Sequence, residues 1–398
     1  MKTLSNFANH LFCWLILPTS VAVADAGDFL DRHWQRPLAP QGTPPTTYTP
    51  QEVSLDPAAC GACHQAQFDD WRASRHAQGM GLGVLGQLIA MDADAPDEHQ
   101  ACLRCHAPLA EQAASLARSI RSRTRDRVHE QGLTCAGCHV RGHVRYGPPR
   151  RDGSAPKAGA PLPHDGWRAS SAFENARFCA ACHQFEDDGY ALNGKLLENT
   201  YAEWRASPAG REGRACQVCH MPDRRHVWRG IHDQEMTRAG VTIDAEAPLL
   251  AGTRVNGRLR LANTGTGHAF PTYVTPRVTM EIFQADARTR PIAGTLRSHP
   301  IARDVAPDLS RELADTRLFP GAEALLRYDA ALHRESVALV YRVRVEPDAF
   351  YANFYRDVLR GNGTAADRKM MRQALAEAIA SEYVLFERKE PLAKGARR

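Results

Sequence analysis

A chain of 398 residues, 43% hydrophobic and 24% charged, is too apolar to be disordered, and its length points to two domains, three at most. Formal net charge is +5, from 50 basic against 45 acidic residues, so there is no basic excess to support nucleic-acid binding. The chain opens with Lys2, an apolar run from about Leu11 to Val23 broken by Pro18, and small residues at Ala22, Ala24 and Ala26. That is the pattern of a cleavable export signal over residues 1–26. The run is too short to span a bilayer, and His10-Leu11-Phe12-Cys13 lacks the small residues of a lipid-attachment site. No later segment is apolar enough to cross a membrane, so a periplasmic or secreted protein without a membrane span is expected. Residues 27–57 are polar and proline-rich and read as an extended lead.

Of the 11 cysteines, all but Cys13 fall in five Cys-x-x-Cys-His motifs: Cys60–Cys63–His64, Cys102–Cys105–His106, Cys135–Cys138–His139, Cys179–Cys182–His183 and Cys216–Cys219–His220. Two cysteines at this spacing reach the two vinyl groups along one porphyrin edge and form thioethers; the following histidine then lies under the iron. Structural zinc would draw four ligands from paired motifs, and five motifs leave one unpaired. Disulfides suit an exported chain but do not explain a histidine after every pair. The motifs therefore predict five covalently bound haem c groups, with His64, His106, His139, His183 and His220 as proximal ligands. Over 58–238 the haems are expected to supply much of the apolar core, with short helices carrying the motifs. Glu111 to Arg127 reads as a helix whose late arginines either line a solvated face or pair with haem propionates. Arg150 to Pro163 reads as a loop.

Strand signals begin after about Ala239. Val255, Leu259 and Leu261 alternate with Arg258 and Arg260; Val278, Met280 and Ile282 form a second set; Tyr341, Val343 and Val345 alternate with Arg342 and Arg344. The fold expected is a multihaem cytochrome c domain, mainly α and irregular, followed by an all-β sandwich over 239–363. A C-terminal helix and tail fill 364–398. The helix starts at Thr364 and Asp367 and runs to about Ala380, and an alternating run from Tyr383 to Glu387 returns to the sheet.

Each six-coordinate iron needs a second axial ligand. Methionines are few, and Met221 directly follows His220, so bis-histidine ligation is expected. Asp70-Trp71-Arg72-Ala73-Ser74-Arg75-His76 resembles the W-x-x-S-x-H element of multihaem cytochromes related to the tetrahaem electron carrier of nitrifying bacteria, which implies that His76 is a distal ligand. Thr200 to Pro208 is similar but lacks the histidine. Cys216 to Pro222 resembles the last haem site of larger members, His226 and His232 resemble the paired histidines after it, and His164 resembles another donor position. Asn263 to Thr272 resembles a recurrent Gly-His element of their β-domains. Gly265 and Gly267 also suit a tight loop that carries His268 across to a haem. The distal set expected is thus His76, His164, His226, His232 and His268, with His129 and His143 in reserve; His33, His99, His299 and His333 are read as structural or exposed.

The function expected is electron transfer through five bis-histidine haems, with other redox proteins of the exported chain as partners and an oligomer also compatible. The alternative is a multihaem oxidoreductase acting on a small nitrogen or sulfur compound at one open haem, although no lysine replaces a motif histidine and no catalytic tyrosine stands out.

Overall fold

The computed structural model describes residues 26–92, 96–122, 127–155, 161–361 and 365–392. The export signal lies outside them apart from Ala26.

In the N-terminal part, short helices carry the motifs: Pro57–Gly61, Pro96–His106, Cys135–His139, Arg177–His183 and Cys216–His220. Local chemistry starts several of them. Asp56 accepts a hydrogen bond from the Ala58 N–H ahead of Pro57, and the Thr134 side chain accepts from the Gly137 N–H. The apolar clusters of this part are small, one around Leu88, Leu103 and Leu116 and another around Leu38, Leu109 and Val140.

Two readings of this part need correcting. The lead is not extended throughout: Ala26–His33 is a helix, and Pro50–Val53 is a short helix closed by a Thr49/Glu52 capping box. The cause of the first is tertiary. Phe29 and His33, one helical turn apart, stack at 4.9 Å and pack against Tyr146 and Phe173. The helix expected from Glu111 to Arg127 is Ala110–Ser122; residues 123–126 lie outside the described set, and Arg127 pairs with Glu130.

The C-terminal part is a sandwich of two antiparallel sheets. One orders Glu323–Ala331, Arg254–Asn263 and Val241–Ala245, with Leu249–Ala251 also on the central strand. The other orders Arg297–Ile301, Arg277–Ala285, Ala338–Glu346 and Tyr383–Pro391. Register places Leu326 opposite Leu259, and Ile282 opposite Tyr341, all in one core. Gly257 marks the closest approach of the sheets, since a Cβ there would meet the Tyr341 hydroxyl at 2.5 Å.

Two helices interrupt this part. Ala365–Ala380 is the one expected; Ala349–Arg360 falls where strand and turn were expected to continue. Phe350, Tyr351, Phe354 and Tyr355 recur at helical spacing, and they set the local period. These helices pack on Leu82–Ala90, where Gly83 lies under Tyr355 and Gly86 under Met371, so the C-terminus folds back onto the motif-bearing part.

The two parts are joined by ion pairs. Arg303, 1% exposed, donates to Glu312 at 2.9 Å and to the carbonyls of Leu192, Lys195 and Leu196. Arg317 pairs with Glu203 at 3.0 Å and with Asp315 at 2.9 Å, and Lys195 reaches Asp315 at 2.6 Å.

Candidate haem sites

Four of the five motif histidines turn Nδ1 to an acceptor. His106 Nδ1 lies 2.6 Å from the Gly79 carbonyl oxygen, His139 Nδ1 2.7 Å from that of Tyr146 and His220 Nδ1 2.6 Å from that of Arg229. His183 differs, its Nδ1 lying 2.7 Å from the Tyr273 hydroxyl. A proton held on Nδ1 orients the ring and leaves the Nε2 lone pair for a metal.

Opposite three of these rings stands a second histidine from elsewhere in the chain. Ring centroids are 6.3 Å apart for His183 and His76, 6.1 Å for His139 and His226, and 6.2 Å for His220 and His268. A metal–nitrogen bond of about 2 Å on each side, plus about 1 Å from nitrogen to ring centre, separates two axial imidazoles by roughly 6 Å. Among the described residues no group of three or more His, Cys, Asp or Glu side chains is arranged to hold a metal ion. Two imidazoles at this spacing would fit an iron whose other ligands came from a porphyrin held by the motif cysteines.

Electrostatics agree with that role. Burial, reinforced by neighbouring imidazoles, pushes His76 down to about 3; burial likewise pushes His139, His183 and His268 down to about 4. The rings stay neutral at ordinary pH, the form that binds metal. Two of the three facing rings repeat the Nδ1 pattern, with His226 on the Arg224 carbonyl at 3.0 Å and His268 on the Ala269 carbonyl at 2.9 Å. By contrast, His33, His99 and His143 are buried with Nε2 engaged by the carbonyls of Cys138, Leu88 and Gly42, and His129 bonds Ser115 through Nδ1.

The other two motif histidines have no such facing ring among the described residues. His164 sits at φ 45°, its Nδ1 2.8 Å from the Gly166 carbonyl and its N–H donated to Glu52. The Glu52 backbone carbonyl in turn accepts from Arg145, whose charge acts on Cys60, so His164 belongs to the neighbourhood of the first motif. His232 lies apart from the pairs, with Nε2 2.9 Å from the Asp348 carboxylate.

The motif sulfurs also meet. Cys60 and Cys135, Cys105 and Cys182, and Cys179 and Cys216 each lie close enough to perturb one another, and each pair links two different motifs.

Sequence reasoning missed three residues that organise the site. Asp70 clamps Arg225 and accepts the His226 N–H at 3.0 Å, tying the His76 segment to the His226 segment. Trp228, at φ 38°, sets its ring against both His76, at 4.6 Å, and His226, at 5.1 Å. Tyr273 reaches His183 from the β-domain. Its position after Pro271 in the loop of His268 was the available signal. That loop needs Gly267, where a Cβ would meet Ala209 at 3.1 Å and Trp204 at 3.2 Å.

Residues 59–140 match the family model of cytochrome c554 and c-prime. The fold is similar to the crystal structure of a penta-haem cytochrome c552 from Thermochromatium tepidum, at a TM-score of 0.57 and 16% identity, over 86% of this chain and 100% of that one. A β-glucosidase from Kluyveromyces marxianus overlaps 27% of this chain and 12% of its own length at 12% identity and a TM-score of 0.16, too little for any argument. No curated protein matches the chain.

Proposed function

We propose that this chain, a multihaem c-type cytochrome, is exported and moves electrons through five covalently attached haems. The ten motif cysteines hold the porphyrins. His183 with His76, His139 with His226 and His220 with His268 supply three axial pairs, and His164 serves the iron of His64. Each bound haem supplies a one-electron centre whose potential follows from its axial ligands and surroundings. The protein's own work is to hold the paired imidazoles in place, all but His76 oriented through Nδ1, and to exclude water from the iron. The three histidine pairs near 6 Å carry this reading. The nearness of sulfurs from different motifs supports a continuous relay, and redox proteins meeting the surface by weak, transient contacts are the natural partners. Among the described residues no helix is long and apolar enough to cross a membrane.

One observation favours a second reading. With His232 held at Nε2 by Asp348, no histidine ring faces His106 at axial distance among the described residues, and an iron open at the Cys102/Cys105 haem would allow small-molecule oxidoreduction there. Electron paramagnetic resonance of the oxidised protein and carbon monoxide addition to the reduced protein separate the readings. A carrier has low-spin irons throughout and no carbon monoxide shift; one high-spin, carbon monoxide-binding haem in undamaged protein selects the oxidoreductase.

A further inference from the structure

His183 is distinguished from the other motif histidines with a hydrogen-bonded Nδ1, because its partner is an ionisable side chain and theirs are backbone carbonyls. The contact continues inward. Tyr273 lies beside Thr200 and Glu198, and the Thr200 hydroxyl, 2.8 Å from that of Thr272, donates to Glu198 Oε1 at 2.9 Å. A line of polar side chains thus runs from the His183 imidazole to a carboxyl group. Four elements contribute to its surroundings: the turn before Thr200–Ala206, the loop carrying Tyr273, the second motif and the helix Ala349–Arg360.

Among the described residues Glu198 forms no ion pair. Thr200 donates to it through its hydroxyl, and Tyr273, Tyr351 and Cys105 face it from the other elements. Glu203 is a nearby carboxylate, but its charge is engaged by Arg317 at 3.0 Å and by the Thr272 hydroxyl at 2.8 Å. Burial, the largest influence, pushes the Glu198 carboxyl up to about 8, within reach of both protonation states near neutral pH.

We propose that the His183–Tyr273–Thr200–Glu198 line couples proton uptake by Glu198 to reduction of the haem held by Cys179 and Cys182, with Tyr273 as the positioning residue that links them. This rests on the reading that His183 binds that iron. The balance is one electron from a reduced redox partner and one proton from solvent: the iron gains the electron, the Glu198 carboxylate takes the proton and becomes a neutral acid, and the net charge of the interior is unchanged. The physical reason is that added negative charge in a poorly screened interior raises the proton affinity of a nearby carboxylate.

The test is a redox titration of the intact five-haem protein at several pH values, following each haem by its own paramagnetic signal, with haem content checked by mass. One potential is expected to fall with rising pH near neutrality, by up to about 59 mV per pH unit, the one-electron equivalent of a tenfold change in proton concentration. Glu198→Gln should flatten that dependence with the other four haems unchanged. Tyr273→Phe removes the acceptor for the His183 N–H, so it should raise the potential of the same haem and weaken the dependence. Redox-difference infrared spectra should show a carboxylic-acid band appearing on reduction in the wild type and missing from Glu198→Gln. The proposal is overturned if all five potentials are flat with pH, or if the slope and the band survive in Glu198→Gln. A failed ligation reading gives a different result: Tyr273→Phe then changes no haem signal at all.

Discussion

A histidine ring binds iron through whichever nitrogen the protein leaves unengaged, and that is where the histidines of this chain divide. His226 and His268 spend Nδ1 on neighbouring carbonyls and stand opposite His139 and His220, whereas His33, His99 and His143 spend Nε2 on the backbone. His76 has no protein partner for Nδ1 and is placed instead by Trp228 and by the Asp70 clamp. His268 offers the clearest single-residue experiment, because it comes from the β-domain loop and faces His220 at 6.2 Å. In His268→Ala one haem should turn high-spin and bind carbon monoxide, while the other four keep their spectra. A variant that stays fully low-spin would sink the assignment. The motif histidines were legible from five residues of sequence each. Their facing partners were legible only as a list of candidates, because nothing local to a histidine announces which of its nitrogens will be engaged.

At the scale of elements, the joint between the two parts is an ion-pair network, and it sets how stability responds to acid. Burial opposes ionisation of Asp315 and Glu312, yet hydrogen bonds from Arg317 and Lys195 to Asp315, and from Lys195, Asn193 and Arg303 to Glu312, hold both carboxyls below the usual range. Their folded-state pKa values are depressed, so their contribution is complete above the ordinary carboxylate range and is lost as pH falls through it and below. Thermal unfolding of the β-domain, followed by strand circular dichroism, should therefore drop in midpoint at acid pH. Arg317→Ala leaves Glu203 without its cation in a site where both side chains are 3% exposed. The expected cost is about 3–5 kcal/mol, the usual penalty for orphaning one member of a buried pair, and denaturant unfolding measures it. The strands were legible from their period of two, and Ala365–Ala380 from its capping signal. Ala349–Arg360 was not, because the Pro347-Asp348 pair between the strand and its aromatic stripe reads equally well as a turn.

For the molecule as a whole, the contrast between its parts is the informative feature. The sandwich has one extensive apolar core, and the motif-bearing part has small clusters around a few leucines. A part so short of its own apolar core depends on large apolar cofactors to complete it. Intact mass after acid–acetone extraction, which strips unbound haem, should equal a chain lacking residues 1 to about 26 plus five haems. A lower haem count would refute the five-centre relay, and a retained N-terminus would refute cleavable export.

The attachment chemistry was determined by the sequence alone, because thioether spacing and the adjacent proximal histidine are properties of five consecutive residues. So was the change from motif-rich chain to alternating strands, since a sheet writes its inside and outside into every second residue. Which ring stands opposite which was decided by the tertiary structure. Facing imidazoles meet across about 6 Å of space from segments far apart in the chain. The fold also drew Tyr273 to His183 and closed the Nε2 of His232 against Asp348, because both contacts form only once the β-domain and the C-terminal helices have packed against the motifs.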